Sequence, residues 1–313
     1  MIPLNNNLLR LKRSGIRHFS NLAKTVPGCV MLTLGEPDFD TPEEIKAAAL
    51  TSLFQNRTHY AANQGVEALR RAICDYEAAR GLPCEPSQVL VTAGASEALY
   101  TAITGILNPG DEVLIPTPNY SLWSNTILLA GATPVYYRCD EASDWNPDIA
   151  DLRSKVTSKT RAMVIINPNN PTGALYNTDI LNGMLQVARE HNLIVFSDEI
   201  YDRLVMDGLQ HVSTASLAPD LTVVTMNGLS KSHSLCGYRC GWMAISGPRK
   251  STDIYRAGIV HLTSMRLCAN ALAQLVIPAA LDDMETPSSM VRPGGRYFEQ
   301  RKATLEVLDT IDG

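Results

Sequence analysis

The chain has 313 residues, 45% of them hydrophobic and 19% charged, which is enough for a large α/β core with a second, smaller lobe and too apolar for a disordered chain. Formal net charge is −5 and the basic residues are scattered, so no nucleic-acid footprint is expected and a small-molecule partner is favoured. The opening MIPLNNNLLRLKRSG lacks the apolar stretch of a signal sequence, and no run reaches the roughly 18 apolar residues of a membrane span, which points to a cytoplasmic protein with no membrane partner.

The first forty residues, with Pro27-Gly28 and Gly35-Glu36-Pro37-Asp38, read as irregular chain belonging to an arm or a second lobe. Beyond them, apolar runs rich in Val, Ile and Leu alternate with longer helical patterns: QVLVT, DEVLIP, TPVYY, RAMVII, NLIVF, LTVVTM and GWMAIS. That alternation predicts an α/β fold with a mostly parallel sheet covered by helices on both faces. From Ser96 to Leu107, Leu99, Ala102, Ile103, Ile106 and Leu107 recur at helical spacing before Asn108-Pro109-Gly110, and Thr178 to His191 reads the same way. Near the end, Arg292-Pro293-Gly294-Gly295 breaks the rhythm, a helix is expected from about Tyr297 to Leu308, and a lobe that begins there is not completed by Gly313.

Seven cysteines, an odd number spread over a large chain, fit reduced thiols better than a disulfide framework. Cys236 and Cys240 are close in sequence, but no second Cys or His pair lies at zinc-site spacing, so small packing residues and no metal are expected.

In open parallel sheets the binding crevice lies beyond the carboxyl ends of the strands, and here those positions are chemically loaded. QVLVTA is followed by Gly94-Ala95-Ser96, DEVLIP by Thr117-Pro118-Asn119-Tyr120, and RAMVII by Asn167 to Gly173; NLIVFS ends in Asp198-Glu199-Ile200-Tyr201 and LTVVTM in Asn227-Gly228-Leu229-Ser230-Lys231. A Gly-Ala-Ser turn opening a helix suits a phosphate, but it is equally an ordinary strand-to-helix turn with Ser96 as N-cap. Asp198 closes an apolar strand, where a carboxylate needs a cation or hydrogen bonds; a protonated pyridine nitrogen, a structural salt bridge and a helix cap all satisfy that need. Lys231 is a nucleophilic amine able to attack an aldehyde if it faces the crevice, and a solvated surface charge if it does not.

Asn167-Pro-Asn-Asn-Pro-Thr-Gly173, Asp198-Glu-Ile-Tyr201, Ser230-Lys231 and Gly237-Tyr-Arg-Cys-Gly-Trp242 together resemble the class I/II aminotransferases of pyridoxal-phosphate (PLP) fold type I, in that family's order and at about its spacing, over essentially the whole chain. The resemblance implies a mostly parallel seven-stranded sheet flanked by helices. It also implies three parts: residues 1–45 as N-terminal arm and part of a small domain, 46–288 as a large PLP-binding domain, and 289–313 as the start of a truncated C-terminal small domain. Lys231 matches the catalytic lysine that carries the cofactor as a Schiff base, Asp198 the partner of the pyridine nitrogen, and Asn170 and Tyr201 the pair on the ring's 3-hydroxyl. Tyr120 takes the place of the stacked aromatic residue; Ala95, Ser96 and Arg239, with Ser230 beside the lysine, match the phosphate cradle. Tyr60, in HYAANQG, resembles the tyrosine that reaches the phosphate from a neighbouring subunit, which implies a homodimer with shared sites. Gly35, like Asn170, matches a position beside the substrate, and a glycine there leaves room for the amino acid or meets a backbone requirement.

Gly228 departs from the pattern, since many relatives carry a serine there, and the arginine that pairs with the substrate carboxylate is expected beyond residue 313; Arg292 and Arg296 read as surface or helix residues. The segments Cys139 to Asp148, Asn227 to Lys231 and Ser264 to Asn270 look most like glutamate–pyruvate (alanine) aminotransferases. The implied activity is ping-pong exchange of an amino group between alanine or another small amino acid and 2-oxoglutarate. A C–S lyase and a noncatalytic PLP-binding or dimerisation module are the alternatives.

Overall fold

The computed structural model describes residues 3–12, 15–33 and 35–311. Each of the seven apolar runs forms a strand: β1 Val89–Ala93, β2 Glu112–Thr117, β3 Thr133–Asp140, β5 Thr160–Ile166, β6 Ile194–Asp198, β7 Val223–Gly228 and β8 Cys240–Ser246. A two-residue strand, β4 Asn146–Pro147, pairs with the end of β3 and makes the sheet eight-stranded, in the order β1-β8-β7-β6-β5-β2-β3-β4. The pairs β2–β3, β2–β5, β5–β6 and β6–β7 are parallel, whereas β8 runs antiparallel to both β1 and β7. Strand direction is not encoded in an evenly apolar run, so the reversal of β8 had no sequence signal.

The sheet is buried on both faces, and successive residues divide between them. Val195 and Val223 pack on one side with Leu185 and Val276; Phe196 and Val224 pack on the other with Leu99, Trp123 and Ile259. Helices Glu67–Ala79, Thr178–His191 and Ala271–Asp282 cover the first face, and Ala95–Thr104, Ser121–Leu129 and Arg249–Ser264 cover the second. The Thr178–His191 helix has its expected bounds because both ends are capped: Asn177 Oδ1 accepts from Ile180 N at 2.9 Å, and Asn192 turns left-handed with φ 51°. The Ala95–Thr104 helix ends earlier than its apolar pattern, at Gly105.

Two expectations change. The first forty residues are not wholly irregular, since Gly15–Ala23 is a helix whose Phe19 and Leu22 remain exposed. Ser96 is not an N-cap either; Gly94 caps the helix and Ser96 lies in its first turn. At the far end, the Arg296–Leu308 helix meets the N-terminal segment: Arg296 pairs with Asp38 and lies 4.6 Å from the Phe39 ring centre, while the rings of Phe39 and Tyr297 meet edge-on at 5.1 Å. Arg292 pairs with Glu285 at 2.6 Å, so both arginines are exposed helix-end residues as expected.

Candidate active site

Because β1, β2, β5, β6 and β7 share one direction, their carboxyl ends open on the same edge, and a cleft of about 840 Å³ lies there. Gly35, Ala95, Ser96, Tyr120 and Asn170 line it, as do Asp198, Tyr201, Ser230, Lys231 and Arg239. Tyr60 does not; it stands 82% exposed on the surface.

One end of the cleft is built for an anion. Gly94, at φ 79°, turns the chain from β1 into the Ala95–Thr104 helix, whose first amides have no acceptor within their own helix and carry the positive end of its dipole. Arg239 lies against Gly94, its Nη1 donating to Cys236 O at 2.8 Å and its Nη2 to Ala93 O at 3.5 Å. A Cβ on Gly94 would overlap this guanidinium, and a Cβ on Gly241 would come within 2.5 Å of Ala95 N. The two glycines therefore let cation and helix end approach each other.

Asp198 is buried at the end of β6, and burial pushes its carboxyl up to about 6. Trp123 Nε1 donates to Oδ2 at 3.2 Å and Ile200 N to Oδ1 at 3.4 Å, but no ion pair to Asp198 occurs among the described residues. The salt-bridge reading of this residue is thus set aside: its neighbour Glu199 holds the salt bridge instead, to Arg80. Trp123 reads in sequence as one more apolar residue of a helix, and only its indole N–H reveals a second use.

Lys231 is half-buried, not a solvated surface lysine. Its ammonium donates to Gly35 O and stands 6.0 Å from the ring centre of Tyr201. A Cβ on Gly35 would lie 3.9 Å from that Nζ, which places the glycine's open side toward the amine. Burial pushes the Tyr201 hydroxyl up to about 12, so it remains a donor at neutral pH. Cys236, expected to be a packing residue, lines the cleft and donates to Ser230 O at 2.8 Å, while Cys240 is buried as expected. Among the described residues all seven cysteines are free thiols, and no group of three His, Cys, Asp or Glu side chains is arranged to hold a metal ion.

Behind the cleft lies a charged network that the sequence did not disclose. Arg80 pairs with Glu77 at 2.8 Å, with Glu199, and with Asp202 at 3.2 Å, all of them buried or nearly so. Glu199 also accepts from Ser197 Oγ at 2.9 Å, Ser213 Oγ at 3.1 Å and Thr214 N at 3.0 Å. Asp202 accepts from Tyr76 and, at 2.9 Å, from Asn227 Nδ2, whose own Oδ1 accepts Gly228 N at 2.7 Å. Burial raises the Asp202 carboxyl, yet Arg80 and Tyr76 outweigh it and hold the group below its ordinary range. The network ties the segment bearing Asp198 and Tyr201 to the loop bearing Lys231.

A mixed, mostly parallel α/β sheet thus brings together in one cleft a lysine, a buried carboxylate with no cationic partner among the described residues, and a guanidinium at a helix N-terminus. The family model for aminotransferase class I and II matches residues 27–306. The glutamate-pyruvate aminotransferase AlaA of Escherichia coli is 43% identical over 286 residues, which cover 90% of this chain and 70% of that protein. An alanine aminotransferase of Mycobacterium tuberculosis is 41% identical over 316 residues, covering 99% of this chain and 71% of that one. The crystal structure of an aminotransferase from Escherichia coli superposes with a TM-score of 0.95 at 40% identity, covering 100% of this chain and 79% of its own. The chain belongs to the class I and II aminotransferases, which are pyridoxal-phosphate-dependent enzymes.

The residues present fit that cofactor. A protonated ring nitrogen would supply the cation Asp198 lacks, the helix end with Arg239 suits a phosphate, and the Lys231 amine suits an aldehyde. Asn119 Oδ1, a buried acceptor in the cleft wall with no partner, leaves one more polar group for a ligand to satisfy.

Proposed function

We propose that this aminotransferase exchanges an amino group between alanine, or another small L-amino acid, and 2-oxoglutarate. The observation that carries the site assignment is Asp198: a buried carboxylate held only by neutral donors, in the same cleft as Lys231 and Arg239. The alanine preference draws on relatives that bear the names glutamate-pyruvate and alanine aminotransferase.

When bound, pyridoxal phosphate supplies an aldehyde and an electron-accepting ring. Lys231 would hold the aldehyde carbon of the bound cofactor, and its Nζ, once freed by an incoming amino acid, would take up and return the proton of the substrate Cα. Asp198 would keep the ring nitrogen protonated, and Asn170 and Tyr201 would donate to the ring's 3-hydroxyl oxygen. Tyr120, 37% exposed in the cleft wall, would stack on the ring, and Ala95, Ser96, Ser230 and Arg239 would hold the phosphate. Gly35 and Asn170 border the substrate. Release of the oxo acid and the reverse reaction with a second oxo acid complete a ping-pong cycle in one site.

Tyr60 belongs to the partner's site in this reading, and its exposure in the single chain is what a shared-site homodimer requires. The proposed division is residues 1–45 as an N-terminal arm and part of a small domain, 46–288 as the cofactor domain and 289–313 as the start of the C-terminal small domain; the Arg296–Asp38 and Phe39–Tyr297 contacts support joining the two ends. No helix among the described residues is long and apolar enough to cross a membrane, and a cytoplasmic location accords with that.

The test is an absorbance spectrum with added pyridoxal phosphate, wild type against Lys231→Ala, before and after L-alanine and then 2-oxoglutarate. A visible band that needs Lys231, fades with alanine and returns with 2-oxoglutarate is expected. Pyruvate and ammonia formed without an acceptor acid would mean elimination, and no Lys231-dependent band would overturn the assignment.

A further inference from the structure

Lys12 also lines the cleft, and none of the roles above uses it. Its main chain is held on both sides by one side chain: Lys12 N donates to Asn125 Oδ1 at 3.1 Å, and Asn125 Nδ2 donates to Lys12 O at 3.1 Å. Asn125 sits on the Ser121–Leu129 helix, the helix that follows Tyr120 and carries Trp123. The backbone of Lys12 is therefore fixed at the wall of the cleft. Its side chain is exposed, and its ammonium has no hydrogen-bond or ion-pair partner among the described residues.

The charged groups lining the cleft are Lys12, Asp198, Lys231 and Arg239. Lys231 donates to Gly35, and Arg239 donates to Cys236 O and to Ala93 O, just before the Ala95–Thr104 helix. Lys12 is thus a cation of the cleft that no described residue engages, and such a group calls for an anion from the ligand. An amino acid or oxo acid with a second carboxylate provides one; alanine and pyruvate do not.

We infer that Lys12 receives the side-chain carboxylate of a dicarboxylic substrate, glutamate or 2-oxoglutarate, and so sets the preference between the two halves of the exchange. This rests on the amino-transfer reading. A ping-pong site must accept a dicarboxylate and a small monocarboxylate in turn. A lysine suits that double duty, because its long stem lets the ammonium reach in to a carboxylate or stay in water, while its backbone remains pinned by Asn125.

The experiment compares wild type with Lys12→Ala, Lys12→Glu and Lys12→Arg in two readouts. In the first, the ratio of kcat/KM for glutamate to that for alanine is measured in the separate half-reactions. A fall of about tenfold is expected in Lys12→Ala, a larger fall in Lys12→Glu, and a ratio largely kept in Lys12→Arg, with the wild-type preference weakening at high salt. In the second, which needs no turnover, the affinities of glutarate and butyrate for the cofactor-loaded protein are compared by calorimetry; wild type should favour glutarate and Lys12→Ala should lose that preference. Ratios within twofold of wild type in both readouts would overturn the role of Lys12. Failure of wild type to transfer an amino group from either amino acid would instead remove the amino-transfer reading, and the glutarate preference would still decide what Lys12 binds.

Discussion

Trp123 and Asp198 lie 75 positions apart in the chain and are joined by an indole N–H to carboxylate bond of 3.2 Å. The bond, together with the one from Ile200 N, holds a buried carboxyl group, so it both orients Asp198 and favours its charged form against burial. Trp123→Phe keeps the ring and deletes the donor. The expected result is a roughly fivefold to tenfold weaker Kd for pyridoxal phosphate and about 1.5–3 kcal/mol of lost stability, the range for a bond to a charged acceptor. Cofactor titration and urea unfolding measure both; unchanged affinity would show that Ile200 N alone suffices to hold Asp198.

Asp198 also gives the cofactor-free protein a signature in pH. Its carboxyl is pushed from an ordinary 3.8 up to about 6 by burial, so the folded chain binds this proton more tightly than the unfolded chain does. The stability gained from protonated Asp198 is therefore present below about 3.8 and is lost as pH rises through about 6, a change on the order of 3 kcal/mol. Asp198→Asn removes the titration: its stability relative to cofactor-free wild type should climb by about that amount between pH 4 and pH 7. Saturating pyridoxal phosphate should reverse the order, because the wild-type carboxylate then has its cation. A difference that stays flat with pH would contradict the assignment.

The parts of the molecule that could be read ahead are those written locally. Seven of the eight strands appear as short apolar runs, all but the two-residue β4, and polar residues that follow β1, β2, β5, β6 and β7 share one cleft because parallel strands deliver their carboxyl ends to one edge. What was not legible depends on pairs distant in sequence. Arg80 and Glu199 meet across 119 positions, and Lys12 and Asn125 across 113, so neither contact leaves a local pattern. The Gly15–Ala23 helix was missed although Ile16, Phe19 and Ala23 recur at helical spacing, since a short segment among turn residues gives periodicity little room.

The Arg80 network yields the largest expected loss of stability. Arg80→Met would leave Glu77, Glu199 and Asp202 buried together without their shared cation. A cost of about 3–5 kcal/mol follows from breaking such a cluster from one side, with a melting temperature lower by roughly 10 °C. Because Asp202 and Asn227 connect the cluster to the Lys231 loop, cofactor affinity should fall as well. Calorimetric melting with and without pyridoxal phosphate separates the two effects, and a Tm within about 2 °C of wild type would mean that the carboxyls neutralise at little expense.

Gly228 tests whether the departure from the relatives' serine is a loss or an accommodation. It is the last residue of β7, paired with Gly241 of β8, and a Cβ on it would lie 2.6 Å from Cys240 O and 3.2 Å from the Gly241 Cα. On this backbone a side chain cannot enter without separating the strands, and Gly241 cannot move toward the Ala95–Thr104 helix because its own Cα side already abuts Gly94 and Ala95. Gly228→Ser should therefore destabilise by about 1–3 kcal/mol, the usual cost of overpacking, and should not tighten pyridoxal phosphate binding. A variant that melts like wild type and binds the cofactor several-fold more tightly would show that the strands yield and the hydroxyl reaches the phosphate. The glycine would then be a missing contact and not a consequence of how closely β7 and β8 approach.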